Sequence, residues 1–498
     1  MIQNYKNLFV IKLTIIYIYI EEKLKDLNER LNDGIIIANN FKALSELLKN
    51  CKTKEQVDLV YQWGSENYQT GYYFNKQVEN FRESASYLKK VEEINNGCEN
   101  KLIIGDNYDA LNNLIAAGYK NKIDIIYIDP PYGMDNERKF AETNYENKID
   151  RDSLLSMLQP RLELAKELLS NEGLFFCSID DRNYAYVKVL CDTIFGCNKF
   201  VNTIIWQRHS GGGLTKKIIT GHDYVLVYRM NKTTMLYAKQ DIDKNKVKII
   251  NDKEYYFDAN PLKKEFGNRR IPSGLDRYLV FEELSKEKQN EYKKSELFLI
   301  KEYKNTGKHI IYPYRRADVK KMYSINGCES GAGIENLIEL GFKKEDFDFP
   351  KPVQLMKTLL FSNCKKDSII LDFFAGSGTT GQAVLELNKE DNGNRKFILC
   401  VNNSGNSDEI CKERLRRVMT GKTKDGKSNF PWSKDNEPLG SSLGVYNIKE
   451  ASKYTDANCL IDQIDERDYD LPKFKTEIEK IEWVCDNFKV CTRGLRKP

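Results

Sequence analysis

Apolar runs that alternate with helical patterns constrain the fold of this chain most strongly. KLIIGD at 101–106, KIDIIYIDPPYG at 122–133 and GLFFCSID at 173–180 each have the length and apolar character of a buried strand. Patterns with three- and four-residue spacing separate them. Such alternation places helices on the faces of a mainly parallel sheet. The sequence therefore predicts an α/β fold with a doubly wound, Rossmann-like sheet.

The alternation changes at three places along the chain. VNTIIWQRH and HDYVLVYRM follow each other without room for a helix, which predicts an antiparallel end to the sheet. The stretch 231–347 is rich in Lys, Arg, Tyr and Asn and has no single period, which indicates an inserted domain. The strand–helix texture returns with DSIILDFFAGSGTTGQAVLEL and RKFILCV. Residues from about 21 to 95 are charged, and their apolar spacing predicts helices.

Length, charge and cysteine usage limit the classes of protein that remain. A chain of 498 residues is long enough for two or three domains. Its net charge of +5 means that any nucleic-acid surface must be local. The twelve Cys and three His include no C-x-x-C pair and no zinc-ligand spacing. We therefore expect reduced, buried thiols in a cytoplasmic protein and no metal site.

The apolar segment at 8–20 is the one stretch that raises the question of a membrane. It reads LFVIKLTIIYIYI, is interrupted by Lys12 and falls short of the roughly 20 apolar residues that a spanning helix needs. No small-residue cleavage site follows it. We expect a buried strand or helix, or an extension outside the fold, and no contact with a membrane.

A glycine-rich turn follows the apolar strand SIIL. Gly376 and Gly378 let the backbone approach a ligand closely, and the helix that follows offers free N–H groups. The carboxylate of Asp372 would repel a pyrophosphate and suits an ammonium or hydroxyl group. Phe373 and Phe374 can pack against a cationic sulfonium. These residues favour S-adenosylmethionine (SAM) as cofactor, with another nucleotide or a purely structural turn as alternatives.

The tetrapeptide Asp129-Pro130-Pro131-Tyr132 ends the strand KIDIIYI, where ligands bind in a parallel sheet. An aromatic amine is a poor nucleophile because its lone pair is delocalised. Asp129 and the carbonyl of Pro130 can each accept one N–H hydrogen and so direct that lone pair toward a methyl donor. Tyr132 offers a face for stacking an extruded base. The alternative is that the tetrapeptide only ends the strand.

Together, DPPY and DFFAGSGTT resemble the catalytic and SAM motifs of the amino-methylating DNA methyltransferases. The order of catalytic motif, insert and SAM motif is similar to that of the circularly permuted β group. More specifically, the strings NKLIIGDNYDAL, RLELAKELLSNEGLFFCSIDD and FDFPKPVQLMKTLLF resemble the modification (Mod) subunits of type III restriction–modification systems. The resemblance covers about residues 101–419.

The resemblance implies a role for individual residues. Target-base binding and catalysis fall to Asp129, Pro130, Pro131 and Tyr132. Asp106 is implied to contact the adenine of SAM, and Lys351 opens a helix over its methionine end. The implied cofactor-binding set is Asp106, Lys351, Asp372, Phe373, Phe374, Ala375, Gly376, Ser377, Gly378, Thr379 and Thr380.

Two departures from the family pattern stand out. In the family, an acidic residue that binds the ribose hydroxyls often ends the strand after the glycine helix. This chain has VNNS there, so that either Asn402 or Asn403 replaces the acidic residue or the contact is lost. The chain is also shorter than type III modification subunits. The predicted domains are a helical segment at 1–95, the catalytic half at 96–235, a target recognition domain at 236–345, the SAM-binding half at 346–420 and a C-terminal extension at 421–498.

Basic residues interleaved with tyrosines in the insert suit phosphate contacts and base stacking. The segment KHIIYPYRRADVKK at 308–321 shows this pattern. The alternative for each of these residues is a solvated basic surface. HSGGGLTKK at 209–217 is predicted to be a glycine loop that closes over the flipped base, or a plain linker. The candidate DNA-binding residues are Arg269, Arg270, Arg315 and Arg316.

The resemblance thus implies a SAM-dependent adenine-N6 methyltransferase that acts on double-stranded DNA. The expected partners are a second copy of the chain and a restriction subunit. A stand-alone or type II-like enzyme, acting on adenine N6 or cytosine N4, is the main alternative. A DNA-binding protein with a degenerate methyltransferase fold and an RNA or protein methyltransferase are further alternatives.

Overall fold

The computed structural model describes most of the chain after residue 83. It covers 84–132, 151–207, 221–240, 246–251, 253–264, 273–317, 319–326, 331–363, 365–402, 406–452 and 461–488, with isolated positions between 20 and 57. The predicted segment at 8–20 lies outside the described residues, apart from Ile20, as does the predicted glycine loop at 209–217.

The strands are numbered β1 to β16 in chain order. Their bounds are β1 Ser84–Ile94, β2 Asn100–Ile104, β3 Ile123–Ile128, β4 Leu169–Ile179, β5 Phe200–Gln207, β6 His222–Arg229, β7 Tyr237–Lys239, β8 Val247–Ile250, β9 Lys253–Phe257, β10 Phe298–Glu302, β11 His309–Arg316, β12 Val319–Lys321, β13 Ile325–Asn326, β14 Ile369–Asp372, β15 Lys396–Val401 and β16 Leu443–Ser452.

The α-helices are numbered in the same way. Their bounds are α1 Asn107–Ala116, α2 Arg151–Leu168, α3 Tyr184–Phe195, α4 Lys286–Lys294, α5 Gly331–Glu339, α6 Val353–Leu360, α7 Thr379–Asp391, α8 Ser407–Thr420, α9 Trp432–Asp435 and α10 Glu477–Asn487.

Ten strands form one sheet in the order β1-β16-β2-β15-β14-β3-β4-β6-β5-β13. The strands from β16 to β4 run parallel, whereas β6 pairs antiparallel with both β4 and β5. The central strands are apolar throughout because both faces of a parallel sheet are covered. In β3, for example, five of the six residues are buried. The predicted α/β fold and its antiparallel end are confirmed.

The chain divides into two compact units. The first unit contains this sheet and comprises residues 1–234, 324–360 and 365–498. The second comprises 235–323 with 361–364. It contains a four-stranded antiparallel sheet, β10-β11-β9-β8, a two-stranded pair, β12 and β7, and helix α4.

The second unit corresponds to the predicted inserted domain but ends earlier than residue 345. Helix α5 belongs to the first unit, where the carbonyl of Pro350 lies so close to Gly333 that an added Cβ would be 1.9 Å from its oxygen. Asn336 of α5 also accepts a hydrogen bond from the N–H of Val353, at 3.1 Å. These contacts are non-local, which explains why composition alone placed the boundary too late.

The N-terminal region differs from prediction at its end. Residues 84–94 were expected to be helical but form strand β1, which pairs antiparallel with β16. Leu88 and Ile94 are buried there. The pairing partner comes from the C-terminal extension, more than 340 residues away, so the local pattern could not reveal it. Most of the remaining residues of the predicted helical segment 1–95 lie outside the described residues.

No helix in the described residues is long and apolar enough to cross a membrane. Within the same residues, no group of three or more His, Cys, Asp or Glu side chains could hold a metal ion.

Candidate active site

The two predicted motifs meet at one edge of the large sheet. Strand β14 lies beside β3, and Asp372 pairs in register with Tyr127, two residues before Asp129. Because the strands are parallel, both carboxyl ends open at the same edge. The DPPY segment and the glycine turn are therefore neighbours in space, although more than 240 residues separate them in sequence.

Asp129 is paired with the ammonium group of Lys351. The Lys351 Nζ atom donates to Asp129 Oδ1 at 2.7 Å and to Oδ2 at 2.6 Å. It also donates to the Tyr132 hydroxyl at 3.1 Å. The side chain of Lys351 is 11% exposed and that of Asp129 is 24% exposed. Sequence reasoning expected Lys351 near the cofactor, but it did not foresee this ion pair.

Aromatic rings flank this ion pair. The Lys351 Nζ atom lies 5.1 Å from the ring centre of Tyr132 and 5.6 Å from that of Trp206, within the range of cation–π attraction. Trp206 lies on β5 and is almost fully buried. It was not among the predicted site residues, since a tryptophan within an apolar strand carries no local signal of function.

Tyr132 is held at both its backbone and its ring. Its carbonyl oxygen accepts a hydrogen bond from Asn183 Nδ2 at 2.6 Å. Burial raises the pKa of the Tyr132 hydroxyl well above its usual value, and the negative charges of Asp129 and Asp223 raise it further. Tyr132 is therefore a neutral phenol. Asp223 pairs in register with Trp206, so β6 also contributes to this corner of the site.

The glycine turn has the backbone shape that its sequence predicts. Gly376 and Gly378 adopt φ values of +49° and +78°, which side-chain-bearing residues rarely adopt. A Cβ atom on Gly378 would lie 2.8 Å from the Cys411 sulfur, and one on Gly376 would lie 3.1 Å from the Phe347 ring. Both glycines are thus required by conformation and by space. Gly378 also precedes helix α7, whose first N–H groups face this turn.

Asp372 holds the turn from its centre. Its Oδ1 atom accepts from the N–H of Phe374 at 3.0 Å, and its Oδ2 atom accepts from the Thr380 hydroxyl at 2.5 Å. Burial raises the pKa of Asp372 to about 7; the two hydrogen bonds and Lys351 oppose that rise, and Asp129 adds to it. The rings of Phe373 and Phe374 lie 5.3 Å apart; Phe373 is in the core, whereas Phe374 is only partly buried.

Arg414 of helix α8 braces the same turn from behind. Its guanidinium is fully buried and donates to Thr379 Oγ1 at 2.8 Å and to Ser377 Oγ at 3.1 Å. Its Nε atom donates to Gln382 at 2.8 Å. Sequence reasoning missed Arg414, although its place on the apolar side of the amphipathic segment ERLRRVM was a signal.

Asp106 is joined to the glycine turn by its neighbour. Asp106 caps helix α1 by accepting from the N–H of Tyr108 at 2.8 Å. The buried Arg161 donates to both of its carboxylate oxygens, at 3.0 and 3.1 Å, and also to Asn107. Asn107 in turn donates to the carbonyl of Phe373 at 2.7 Å. Arg161 and Asn107 were not predicted to take part.

The predicted DNA-binding residues are only partly described. Arg315 and Arg316 lie on β11 in the second unit, and Arg315 forms an ion pair with Asp258. Arg269 and Arg270 lie outside the described residues, as does Asn403. Asn402 immediately follows strand β15. These assignments stay predictions.

The chain belongs to a family of DNA methylases. The family model described as "DNA methylase" matches residues 123–413, which include both motifs and the second unit. A further model, described as an uncharacterised conserved protein, matches residues 44–122. The predicted family resemblance is therefore confirmed.

Three relatives show how far the similarity extends. The chain is 30% identical to the type III restriction-modification enzyme StyLTI Mod subunit of Salmonella typhimurium, over 65% of this chain and 57% of the relative. It is 30% identical to the type III restriction-modification enzyme EcoPI Mod subunit of Escherichia phage P1, over 67% of this chain and 64% of the relative. It is 27% identical to the type II methyltransferase M.KpnI of Klebsiella pneumoniae, over 66% of this chain and 86% of the relative. The chain thus spans less than two thirds of either Mod subunit.

Proposed function

We propose that this protein is a site-specific DNA methyltransferase that transfers the methyl group of SAM to the N6 amino group of adenine. The observation that carries the proposal is the meeting of Asp129 with the glycine turn at one sheet edge. A carboxylate that can bind an amine thereby lies beside a backbone cradle that can bind a methyl donor. The proposed place of action is the cytoplasm.

The residues of the turn fit SAM in shape and in charge. The left-handed backbone at Gly376 and Gly378 leaves a surface without side chains, and the start of helix α7 offers N–H groups. Phe374 supplies an aromatic surface for the adenosyl or sulfonium part. Lys351 provides a cation for the carboxylate of the amino-acid part, while Asp372 shapes the turn from within. Asp106 lies near the other end of the turn through Asn107.

In the proposed mechanism, Asp129 and the Pro130 carbonyl accept the two N–H hydrogens of the target amine. The amine lone pair then points away from the ring plane, which makes the nitrogen a better nucleophile. Tyr132 stacks on the extruded base and contributes roughly 1–3 kcal/mol. SAM supplies an activated methyl group, and the chain supplies position and orientation. No covalent bond to the protein is needed.

The names of the relatives favour a modification subunit of a type III-like system, which would work with a restriction subunit and as a homodimer. A stand-alone, type II-like enzyme is the second candidate, because M.KpnI is matched over 86% of its length. Co-purification with a co-expressed restriction subunit distinguishes the two. Light scattering of the purified chain measures whether it is a dimer.

Single-molecule sequencing of DNA from cells that express the chain tests the activity. We expect N6-methyladenine at one short sequence, and no modification with Asp129→Ala. The purified variant should still bind SAM in calorimetry. Modified cytosine would assign the enzyme to the N4 class, and unmodified DNA from cells with folded, SAM-binding protein would contradict the proposal.

A further inference from the structure

The ammonium group of Lys351 lies where the proposed mechanism needs the target amine. Both oxygens of Asp129 accept from Lys351 Nζ, at 2.7 and 2.6 Å. The Asp129 carboxylate, one of the two acceptors proposed for the base amine, is therefore already used through both of its oxygens. The rings of Tyr132 and Trp206 flank the same ammonium, with ring centres 5.1 and 5.6 Å from it. A cationic nitrogen thus fills a pocket formed by one carboxylate and two aromatic rings.

The backbone that carries Lys351 is fixed, whereas its side chain is long and flexible. Pro350 and Pro352 restrict the chain on either side. Gly333 of α5 packs against the Pro350 carbonyl, and Asn336 holds the N–H of Val353 at the start of α6. The ammonium can therefore leave Asp129 only by rotation of its own side chain, and it needs another anionic partner to make that rotation favourable.

We propose that Lys351 is a cation shared between two partners: it fills the target-amine position at Asp129 until a cofactor carboxylate draws it away. The base pocket then opens only when the cofactor is bound. This inference rests on the proposed function, since it takes the pocket to be that of an adenine amine.

The physical argument is one of competing ion pairs at a site of low exposure. Charges that are removed from water attract each other more strongly than surface charges do, so a second carboxylate can compete effectively for the ammonium. Binding of cofactor and base would be coupled, because the cofactor releases the acceptor that the base requires. Such coupling is reciprocal and typically changes an affinity by 5–150-fold.

A double-mutant cycle with S-adenosylhomocysteine as ligand measures whether Asp129 and the cofactor carboxylate compete for Lys351. This probe keeps the amino-acid carboxylate but lacks the sulfonium charge, so a direct attraction to Asp129 does not confuse the result. Calorimetry on the wild type, Asp129→Asn, Lys351→Met and the double variant gives the four affinities. We expect Asp129→Asn to tighten the binding of S-adenosylhomocysteine about fivefold or more, because Lys351 then has no competing partner. Lys351→Met should weaken this binding. In the Lys351→Met background, Asp129→Asn should give no gain in affinity.

Two controls accompany this cycle. 5′-Methylthioadenosine lacks the amino-acid part and should bind all four proteins alike. Lys357→Met removes a lysine of similar exposure on helix α6, which begins two residues after Lys351. Lys357 is paired with Glu386 and Glu390, and its loss should leave the affinity for S-adenosylhomocysteine unchanged. Equal effects of Asp129→Asn in both Lys351 backgrounds would overturn the inference. Absence of binding by the folded wild type would instead contradict the proposed function.

The opening of the base pocket has its own readout. DNA carrying 2-aminopurine next to the adenine identified by sequencing, so that the target base keeps its 6-amino group, should brighten with the wild type only after S-adenosylhomocysteine is added. With Lys351→Met it should brighten without the probe, whereas Lys357→Met should behave like the wild type. Wild-type fluorescence that is independent of the probe, or the same dependence in Lys351→Met, would overturn the inference.

Discussion

Asp129 and Asp372 end neighbouring strands, yet their surroundings give them different properties. Asp129 is partly exposed and is neutralised by Lys351 at hydrogen-bond distance. Asp372 is buried and accepts from neutral donors, the N–H of Phe374 and the hydroxyl of Thr380. One carboxylate is thus available to exchange its partner, while the other is an internal part of the turn. The difference is set by burial and by the position of one lysine.

The pKa of Asp372, raised by burial to about 7, predicts a dependence of stability on pH. In the unfolded chain the Asp372 carboxyl has a pKa near 3.8. Between about pH 4 and pH 7 the folded protein therefore binds a proton at this residue that the unfolded chain does not bind. Stability contributed by the protonated form is therefore lost as the pH rises from about 4 to about 7. Thermal melts measure the difference in melting temperature between Asp372→Asn and the wild type. We expect this difference to favour the variant more at pH 8 than at pH 5.

The exposed Glu437 provides the matched control for this prediction, because Glu437→Gln should change the melting temperature equally at both pH values. An equal difference between Asp372→Asn and the wild type at pH 5 and pH 8 would count against a proton held at Asp372.

Gly376→Asp should weaken binding of the proposed cofactor. The new side chain would enter the space beside Phe347 and place a carboxylate within the proposed SAM cradle. We expect affinity for SAM to fall at least tenfold in calorimetry, or about 1.4 kcal/mol. Gly426→Asp is the control, since Gly426 has a similar φ of +77° and open space around it. Equal SAM affinities of the two variants would contradict the assignment of the turn.

At the scale of elements, the glycine turn is held between two helices and not by its own sequence alone. Helix α7 follows the turn directly, and α8 reaches it through Arg414. The buried guanidinium satisfies Ser377, Thr379 and Gln382 together. The shape of the turn therefore depends on the docking of α8, which begins 28 residues after α7 begins.

Arg414→Met should loosen the turn as well as the fold. Loss of the guanidinium leaves buried polar partners unsatisfied, at about 1–3 kcal/mol for each such group. We expect a lower unfolding midpoint in denaturant and weaker binding of S-adenosylhomocysteine, with partial recovery of binding in Arg414→Lys. Arg467→Met, at an exposed ion pair, should leave the unfolding midpoint nearly unchanged. Unchanged affinity in Arg414→Met would show that the turn keeps its shape without α8.

At the scale of the whole molecule, the main sheet of the first unit joins strands from the early and the late part of the chain. Strand β16 inserts between β1 and β2, so the C-terminal extension is part of the main sheet. The hydroxyl of Tyr469 accepts from the N–H of Leu88 at 2.9 Å and donates to Asn113 at 2.7 Å. One buried side chain therefore links the extension to β1 and to helix α1, both of which precede the catalytic strand.

Tyr469→Phe tests this link. Removal of the hydroxyl leaves the Leu88 N–H and the Asn113 oxygen without their partner, which should cost about 1–3 kcal/mol of unfolding free energy. Denaturant unfolding followed by fluorescence measures the change. Tyr323→Phe is the control, because Tyr323 is 74% exposed and lies in the second unit. Equal stability of Tyr469→Phe and the wild type would mean that the extension is not held through this hydroxyl.

The parts of the site that could be predicted are those whose chemistry lies within a few consecutive residues. Asp129 and Tyr132 share a tetrapeptide, and Gly376 and Gly378 share one turn. Trp206 and Arg414 could not be assigned in this way, because their role depends on which distant segment packs against them. Strand β1 escaped prediction for the same reason, since its partner β16 lies at the other end of the chain.

The sequence alone determined the α/β class, the two motifs and the family, because strand periodicity, glycine conformation and the DPPY chemistry are local properties. Only the tertiary structure decided that Lys351 pairs with Asp129, that Trp206 lies near Lys351 and that strand β16 joins the main sheet. These features join residues that are far apart in sequence. Their energies depend on distance and burial, which no local pattern of residues specifies.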